Sequence, residues 1–578
     1  MQSFKPKRIL AAVLAIALTA LLPACGASDN NAPATSDAAT AASTGETTAT
    51  AEPEKTQSSL TRVDEPATLT WLAVESPDWP LSDDIETWKK ITEATNVTVK
   101  WVPMAQADWQ SVYSVTMAAG KDSWPDLVTN KTLALNNDGR AGAYIQLDTL
   151  LKEKMPNVLD QLMKDPSSFI QLADAQDNHI YSIARMGQSR NAKSWMIRKD
   201  WLDACGLKEP ETIDEFTEAL RAFKKQDPGK AGKNNIPLVI RDGIASFYPN
   251  IMCSYGMHST IYTRDPSTGV CQVNAQKDEF REMCNWLHLL YTEGLLDPEF
   301  ATADMARWES YINNSYAGAA LDYTVRTDQF TNIIRNPSSD AVAAGAKPIE
   351  NAEFIGLVPL AGPQGKRGIM TNSTMNFDNS VAITTACKNV DAACALLNYI
   401  YSEEGTELTS WGIDGVSYNG VDGNGNPNWV EDLGATGQYS IQKTAKYGIQ
   451  QPFMARVVTD AEIVLAFGPL SMQALEKNRP YWEPLHGYGK LDAADDEQLS
   501  TYWADLGTTI IQAVAEFTTG ARKLDDAGWQ KFQDDLKKMN VEKVNELYTK
   551  MRNQGNEAAK ERLAALGVNE VPQNLLDY

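Results

Sequence analysis

Histidine is scarce in this chain. There are four in 578 residues, His179, His258, His288 and His486. None stands at ligand spacing from another, so a metal centre built on His is not expected, and each reads as a surface or satisfied core side chain. The patterns GxxxxGKS/T, HExxH, GxSxG and CxxC are missing as well. Nothing therefore marks a phosphate loop, a zinc protease, a serine hydrolase or a dithiol centre. Gly362 to Gly368 is too short for a phosphate loop and reads as a turn. Positive charge is in deficit, with 52 Lys and Arg against 75 Asp and Glu, a net charge of -23. That argues against nucleic acid as a partner and against direct adsorption to anionic lipid. One enzymatic alternative stays open, because a glycosidase acid pair has no spacing signature and the 75 acidic residues could hold one.

A second deficit is local. Gly26 to Ser59 contains no Val, Ile, Leu, Met or aromatic residue. Such a segment cannot bury enough apolar surface to offset its ordering entropy, so it is expected to be a disordered linker. As a flexible coil it reaches roughly 30–35 Å. Ahead of it, Lys5, Lys7 and Arg8 precede an apolar run from Ile9 to Leu22 broken only by Thr19. That is a secretory signal, too short to span a bilayer stably. Leu22-Pro23-Ala24-Cys25 resembles the lipobox of bacterial lipoproteins. The resemblance implies a diacylglycerol on the Cys25 sulfur and a mature chain that starts there. Removing the signal takes the charge to -26. No second stretch is long and apolar enough to cross a membrane.

Cys205, Cys253, Cys271, Cys284, Cys387 and Cys394 remain. Fifteen pairings are possible, but the spacing is irregular and a chain of this size needs no staples. Free buried thiols are expected, with Cys387 and Cys394 the pair to examine first.

The part that folds, about 510 residues, is too long for one core. It opens as strand, helix, strand. Leu69 to Val74 is a buried strand, Ile85, Trp88 and Ile91 fall at helical spacing, and Val97 to Val102 is the next strand. This alternation implies a parallel sheet covered on both faces. Thr212-Ile213-Asp214-Glu215 is a capping box, followed by Phe216, Ala219, Leu220 and Phe223 on one helical face. A helix through Phe280, Cys284, Leu287 and Tyr291 should stop at Gly294, and one through Ala393, Leu396, Leu397 and Ile400 at Gly405. Turns at Asp265 to Gly269 and Asp422 to Asn426 read as hairpins.

Several segments together resemble the extracellular solute-binding proteins of ABC importers, family 1, in their long Gram-positive lipoprotein branch. They are Trp124 to Val128 with Ala143 to Asp148, Asn178 to Ile183, Ile197 to Phe216, Leu290 to Pro298 and Ala317 to Ala320. The resemblance implies an α/β, two-lobed fold of the type II periplasmic-binding-protein kind, with parallel-dominated sheets, a hinge and an interlobe cleft. Its implied divisions are a signal at 1–24, a lipidated Cys and linker at 25–66, lobe one at 67–190 with 353–425, and lobe two at 191–352 with 426–578. It implies a lipid-anchored, monomeric receptor outside the cell, not an enzyme, and without a cofactor. The implied ligand is an oligosaccharide, with a peptide or sugar acid as the alternative. The implied partners are membrane permease subunits with a separate ATPase. Some members carry a calcium loop after the capping-box helix. Here that stretch runs from Asp227 to Pro237, with Gly229 and Ala231 at two ligand positions, and no calcium is expected. The Asp422 to Asn426 turn also fails the calcium template.

In open α/β sheets ligands sit at the carboxyl ends of strands. That rule selects Glu75, Asp78 and Trp79 after the first strand, Asn130 after Leu127-Val128, Arg185 after Tyr181, and Asp322 with Tyr323 after Gly318. The family pattern adds Tyr248, while its stacking aromatic is replaced by Asn at 130. Trp411 and Trp482 are further candidates. Aromatic faces and Asp, Asn or Arg groups suit the flat faces and hydroxyls of a sugar.

Overall fold

The computed structural model describes residues 60–565, apart from 77–78, 165–169, 188–192, 242, 340–341, 343–345, 370–374, 424, 432, 434–440, 484–488 and 490. The signal, Cys25 and most of the linker therefore lie outside the described residues.

The first sheet begins with β1 (Ala67–Glu75), β2 (Val97–Ala105), β3 (Leu127–Asn130) and β4 (Ile183–Gly187). β1 is parallel to β2 and β3. Its apolar run is buried because both of its faces are covered. Leu69, Trp71 and Ala73 enter one core, and Leu72 and Val74 another on the opposite face.

The chain then passes into a second sheet at β5 (Lys193–Arg198), every residue of which is buried, and β6 (Leu238–Val239). A hairpin of β7 (Tyr262–Arg264) and β8 (Cys271–Val273) follows. β9 (Ala319–Tyr323) and β10 (Phe354–Gly356) complete the second sheet in the order β10-β5-β9-β6. Gly318 lets β9 pack closely, since a Cβ there would fall 2.5 Å from Trp201 and 2.6 Å from Phe223.

β11 (Met375–Ile383) returns to the first sheet and runs antiparallel between β3 and β4. After a hairpin of β12 (Tyr418–Val421) and β13 (Pro427–Trp429), β14 (Val457–Val458) pairs with β4. The first sheet then reads β14-β4-β11-β3-β1-β2. Two of the expected lobe boundaries move. β10 pairs with β5, so the second crossing falls between Ile369 and Met375 rather than at 352. β14 pairs in the first sheet, so the third falls after Val458 rather than at 425.

The helices follow their capping signals. Thr212 and Glu215 form the reciprocal capping box of the helix Ile213–Gln226. The helix Asp278–Thr292 ends against Gly294 at φ +67°. Gly405 is not a helix stop. The helix ends at Ile400, Ser402 caps a second helix Glu403–Ser410, and Gly405 lies in its first turn. A Cβ on Gly405 would sit 1.9 Å from the Tyr399 carbonyl oxygen, so close approach rather than termination requires glycine there. All six cysteines from Cys205 to Cys394 are free. Among the described residues no helix is long and apolar enough to cross a membrane.

Candidate functional site at the edge shared by the two sheets

Three times the chain passes between the sheets: Gly187 to Lys193, Ile369 to Met375, and Val458 to Asp460. In the first sheet these points share one edge. Gly187 ends β4, Met375 starts the antiparallel β11 opposite Met186, and Val458 ends β14 opposite Gly187. In the second sheet Lys193 pairs with Tyr323, the last residue of β9. The carboxyl ends of β1, β3 and β4 and that of β9 therefore belong to the edges that the crossings join.

The best-defined cluster stands at the end of β9. Asp322 is 1% exposed. Its Oδ1 accepts the Tyr323 backbone N–H at 2.7 Å, and Arg241 Nε lies 2.9 Å from Oδ2. Lys193 Nζ is 3.6 Å from Oδ1 and 3.7 Å from the centre of the Tyr323 ring. The Arg241 guanidinium is 5.2 Å from the same ring and 5.7 Å from that of Trp308. One carboxylate and two aromatic faces thus hold two cations, each ring contact contributing about 0.5–2 kcal/mol. The network stiffens the end of β9 and leaves Tyr323 partly exposed.

Lys193 and Arg241 were absent from the residues read off the sequence. Arg241 follows the buried run Leu238-Val239-Ile240, so the strand-end rule that found Asp322 could have found it. Lys193 could not be found that way, because it begins β5, which runs antiparallel to β9.

Asn130 closes β3 and is fully buried. Its Oδ1 accepts the Lys131 N–H at 2.7 Å, while no hydrogen bond reaches its Nδ2. Glu75 turns its carboxylate back onto the Leu81 N–H at 3.2 Å. Trp79 pairs its backbone with Ser76 and its ring is 6% exposed. Arg185, within β4, donates to the Pro452 carbonyl at 2.5 Å. Asp78 lies outside the described residues.

The structure does not bring Tyr248, Trp411 and Trp482 to the Asp322 cluster. Tyr248 packs edge-on against Phe280, 6.2 Å away, and burial raises its hydroxyl pKa. Trp411 donates its indole N–H to Thr459 Oγ1 at 3.1 Å, beside the third crossing. Trp482 bridges Ile369, beside the second. Both tryptophans are placed to support the crossings.

Among the described residues, catalytic chemistry finds little footing. His258 Nε2 is 3.6 Å from Glu483, and Cys253 shares that carboxylate. Burial and Glu483 hold the Cys253 thiol well above its ordinary range, the reverse of what a nucleophile needs. No group of three or more metal-ligating side chains occurs among the described residues. In the loop after the capping-box helix, Asp227 Oδ1 and Oδ2 accept the N–H groups of Ala231 and Gly232 at 2.9 and 2.7 Å. Lys224 Nζ donates to the Asn235 carbonyl at 2.7 Å. Both Asp227 carboxylate oxygens and the Asn235 carbonyl are thus bonded to protein donors.

Two α/β lobes joined by three crossings, with strand ends facing the junction, describe a clamp for a small solute. The family of bacterial extracellular solute-binding proteins matches residues 79–256. Over that stretch, about a third of its length, the chain is similar to the family. It is similar to lipoprotein LipO of Bacillus subtilis, 25% identical over 421 residues that cover 68% of this chain and 78% of LipO. It is also similar to the fructooligosaccharide ABC transporter substrate-binding protein FusA of Streptococcus pneumoniae, 24% identical over 421 residues and 70% of each chain. Among solved structures, an HMO-binding, ABC-transporter-associated solute-binding protein from Bifidobacterium longum infantis superimposes with a TM-score of 0.62. It is 19% identical and covers 85% of this chain and 99% of its own. The fold is thus of the type II periplasmic-binding-protein kind.

Proposed function

We propose that the chain is the lipid-anchored extracellular receptor of an ABC importer. It captures an oligosaccharide between its lobes and delivers it to membrane permease subunits driven by a separate ATPase. What supports this reading is the convergence of three interlobe crossings on the edges where the carboxyl ends of β1, β3, β4 and β9 lie. A ligand gripped from both edges gives the differential affinity for one lobe arrangement that a transport signal requires. Relatives named for fructooligosaccharide and HMO binding favour a glycan as the ligand. The anchor rests on the Cys25 lipobox.

A thermal-shift screen of the full chain in detergent tests the reading. The panel holds fructo-oligosaccharides, milk oligosaccharides, oligogalacturonates and short peptides. A saturable rise in Tm with one glycan class and no new products is expected. A rise with peptides alone would overturn the sugar, and glycan cleavage would overturn the receptor.

A further inference from the structure

The helix Val541–Ala565 joins the lobes a fourth time. Its first half packs in the core of lobe two through Val541, Val544, Leu547 and Tyr548. There Tyr548 stacks on Tyr262 at 4.3 Å, and Asn545 and Thr549 accept the Val273 and Cys271 N–H groups at 2.8 and 2.9 Å. Its second half enters the core of lobe one through Ala558, Ala559 and Leu563. There Arg562 donates to Asp148 Oδ1 at 2.7 Å and to Asn178 Oδ1 at 3.4 Å, and Asn178 Nδ2 donates to the Ala558 carbonyl at 3.3 Å. Asn178 holds φ +62°, a left-handed conformation that Asn tolerates better than most residues. Between the two anchorages lies the buried Gly555, the weakest point for a helix. Alongside runs a groove of about 710 Å³, walled by Gln176 of lobe one and by Leu491 and Asp492 of lobe two.

The two anchorages cannot both survive a hinge movement. The lobe-one anchorage precedes β4, whose five residues span about 16 Å to the edge where the crossings leave. A rigid-body rotation of about 15° would shift a point that far from the hinge by about 4 Å, well beyond hydrogen-bond tolerance. The lobe-two end buries larger side chains and carries an aromatic stack, so the lobe-one end is the one to yield. We propose that this helix is a strap across the hinge, and that Arg562 with Asp148 and Asn178 is its releasable latch. The latch holds the lobe arrangement seen here, and its release permits the other.

Two measurements on the full chain test this. Hydrogen exchange should show the amides of 558–565 opening faster than those of 541–551. Arg562→Ala should speed the former by about tenfold, the effect of losing one charge-assisted bond, and leave the latter unchanged. Spin labels on Glu153→Cys in lobe one and Asp278→Cys in lobe two should report a shifted or broadened interlobe distance in Arg562→Ala. The milder Asp148→Asn, which keeps the helix packing, should move both readouts in the same direction. Unchanged interlobe distances in both variants would overturn the latch, even if the helix end frays. Uniformly faster exchange along 541–565 would assign the pair a structural role only.

Discussion

Asn130, the last residue of β3, and Asp322, the last but one of β9, turn their side chains alike, one in each sheet. Each turns Oδ1 onto the backbone N–H of the next residue at 2.7 Å. The second atom then differs. Asp322 Oδ2 lies 2.9 Å from Arg241 Nε, whereas Asn130 Nδ2 has no hydrogen bond. Because Oδ1 is committed, the amide cannot flip, and it offers a ligand a donor only. Asn130→Asp should weaken oligosaccharide capture more than Asn130→Ala, since it sets an acceptor against an acceptor. The expected loss is about 1–3 kcal/mol of ligand affinity, read by calorimetry on variants shown to be folded. Equal losses in the two variants would argue against a donor role.

Tyr323 should contribute through its face. Tyr323→Phe preserves the ring over Lys193 and should bind nearly as well as the parent, while Tyr323→Ala should lose about 1–2 kcal/mol of ligand affinity. If Trp79→Ala and Tyr323→Ala both bind normally, the ligand does not sit at these strand ends.

A fully buried ion pair straddles the third crossing. Arg456, just before β14, makes a two-bond contact with Glu462 in the helix Asp460–Phe467, at 2.6 and 2.7 Å. Removing one partner strands a buried charge, so Glu462→Leu should cost about 3–5 kcal/mol of stability in denaturant titration. Replacing both by Met and Leu should recover most of that loss. A double variant as unstable as the single would show that the pair is needed for more than charge balance.

The thiols should be inert in the folded protein. Burial raises Cys387 to about 11 and Cys394 to about 12, and Cys253 well above its ordinary range. At pH 8 a thiol with a pKa near 11 is about one part in a thousand thiolate. A disulfide-exchange reagent should therefore label these three slowly in the native protein and quickly in guanidinium. Rapid native labelling of Cys387 would contradict its placement.

Calcium and chelator should leave Tm unchanged, because protein N–H groups already occupy the Asp227 carboxylate. Asp227→Ala should lower Tm modestly by freeing the Ala231 and Gly232 N–H groups. A calcium-dependent rise in Tm would show that the loop can reopen around a cation.

Cys25→Ala should move the protein from the membrane fraction to the medium, since a lipobox without its sulfur cannot be acylated. Retention of the variant would dismiss the lipid anchor.

Local chemistry explains which features could be read from the residues. The β1 run from Leu69 to Val74 and the Thr212–Glu215 box are decided within a few residues, and both took the expected form. Gly405 misled because glycine serves both helix ends and close contacts, and only the path of Tyr399 distinguishes them. The candidate site was legible only as strand ends. The strand-end rule reached Asn130, Asp322 and Tyr323, but Lys193 meets Tyr323 only through the antiparallel pairing of β5 with β9. The lobe boundaries moved for the same reason, since which sheet takes β10 or β14 depends on partners far away in the chain.

The order in which the chain supplies lobe one bears on how the protein is made. Its sheet needs β11 and β14, and its core is closed by Ala558, Ala559 and Leu563. The second sheet is complete by Gly356, but lobe one waits for the last residues of the chain. Contacts this distant in sequence form slowly. A first lobe that waits for the last residues of the chain stays unfolded, and so threadable, for longer than one built from a contiguous segment.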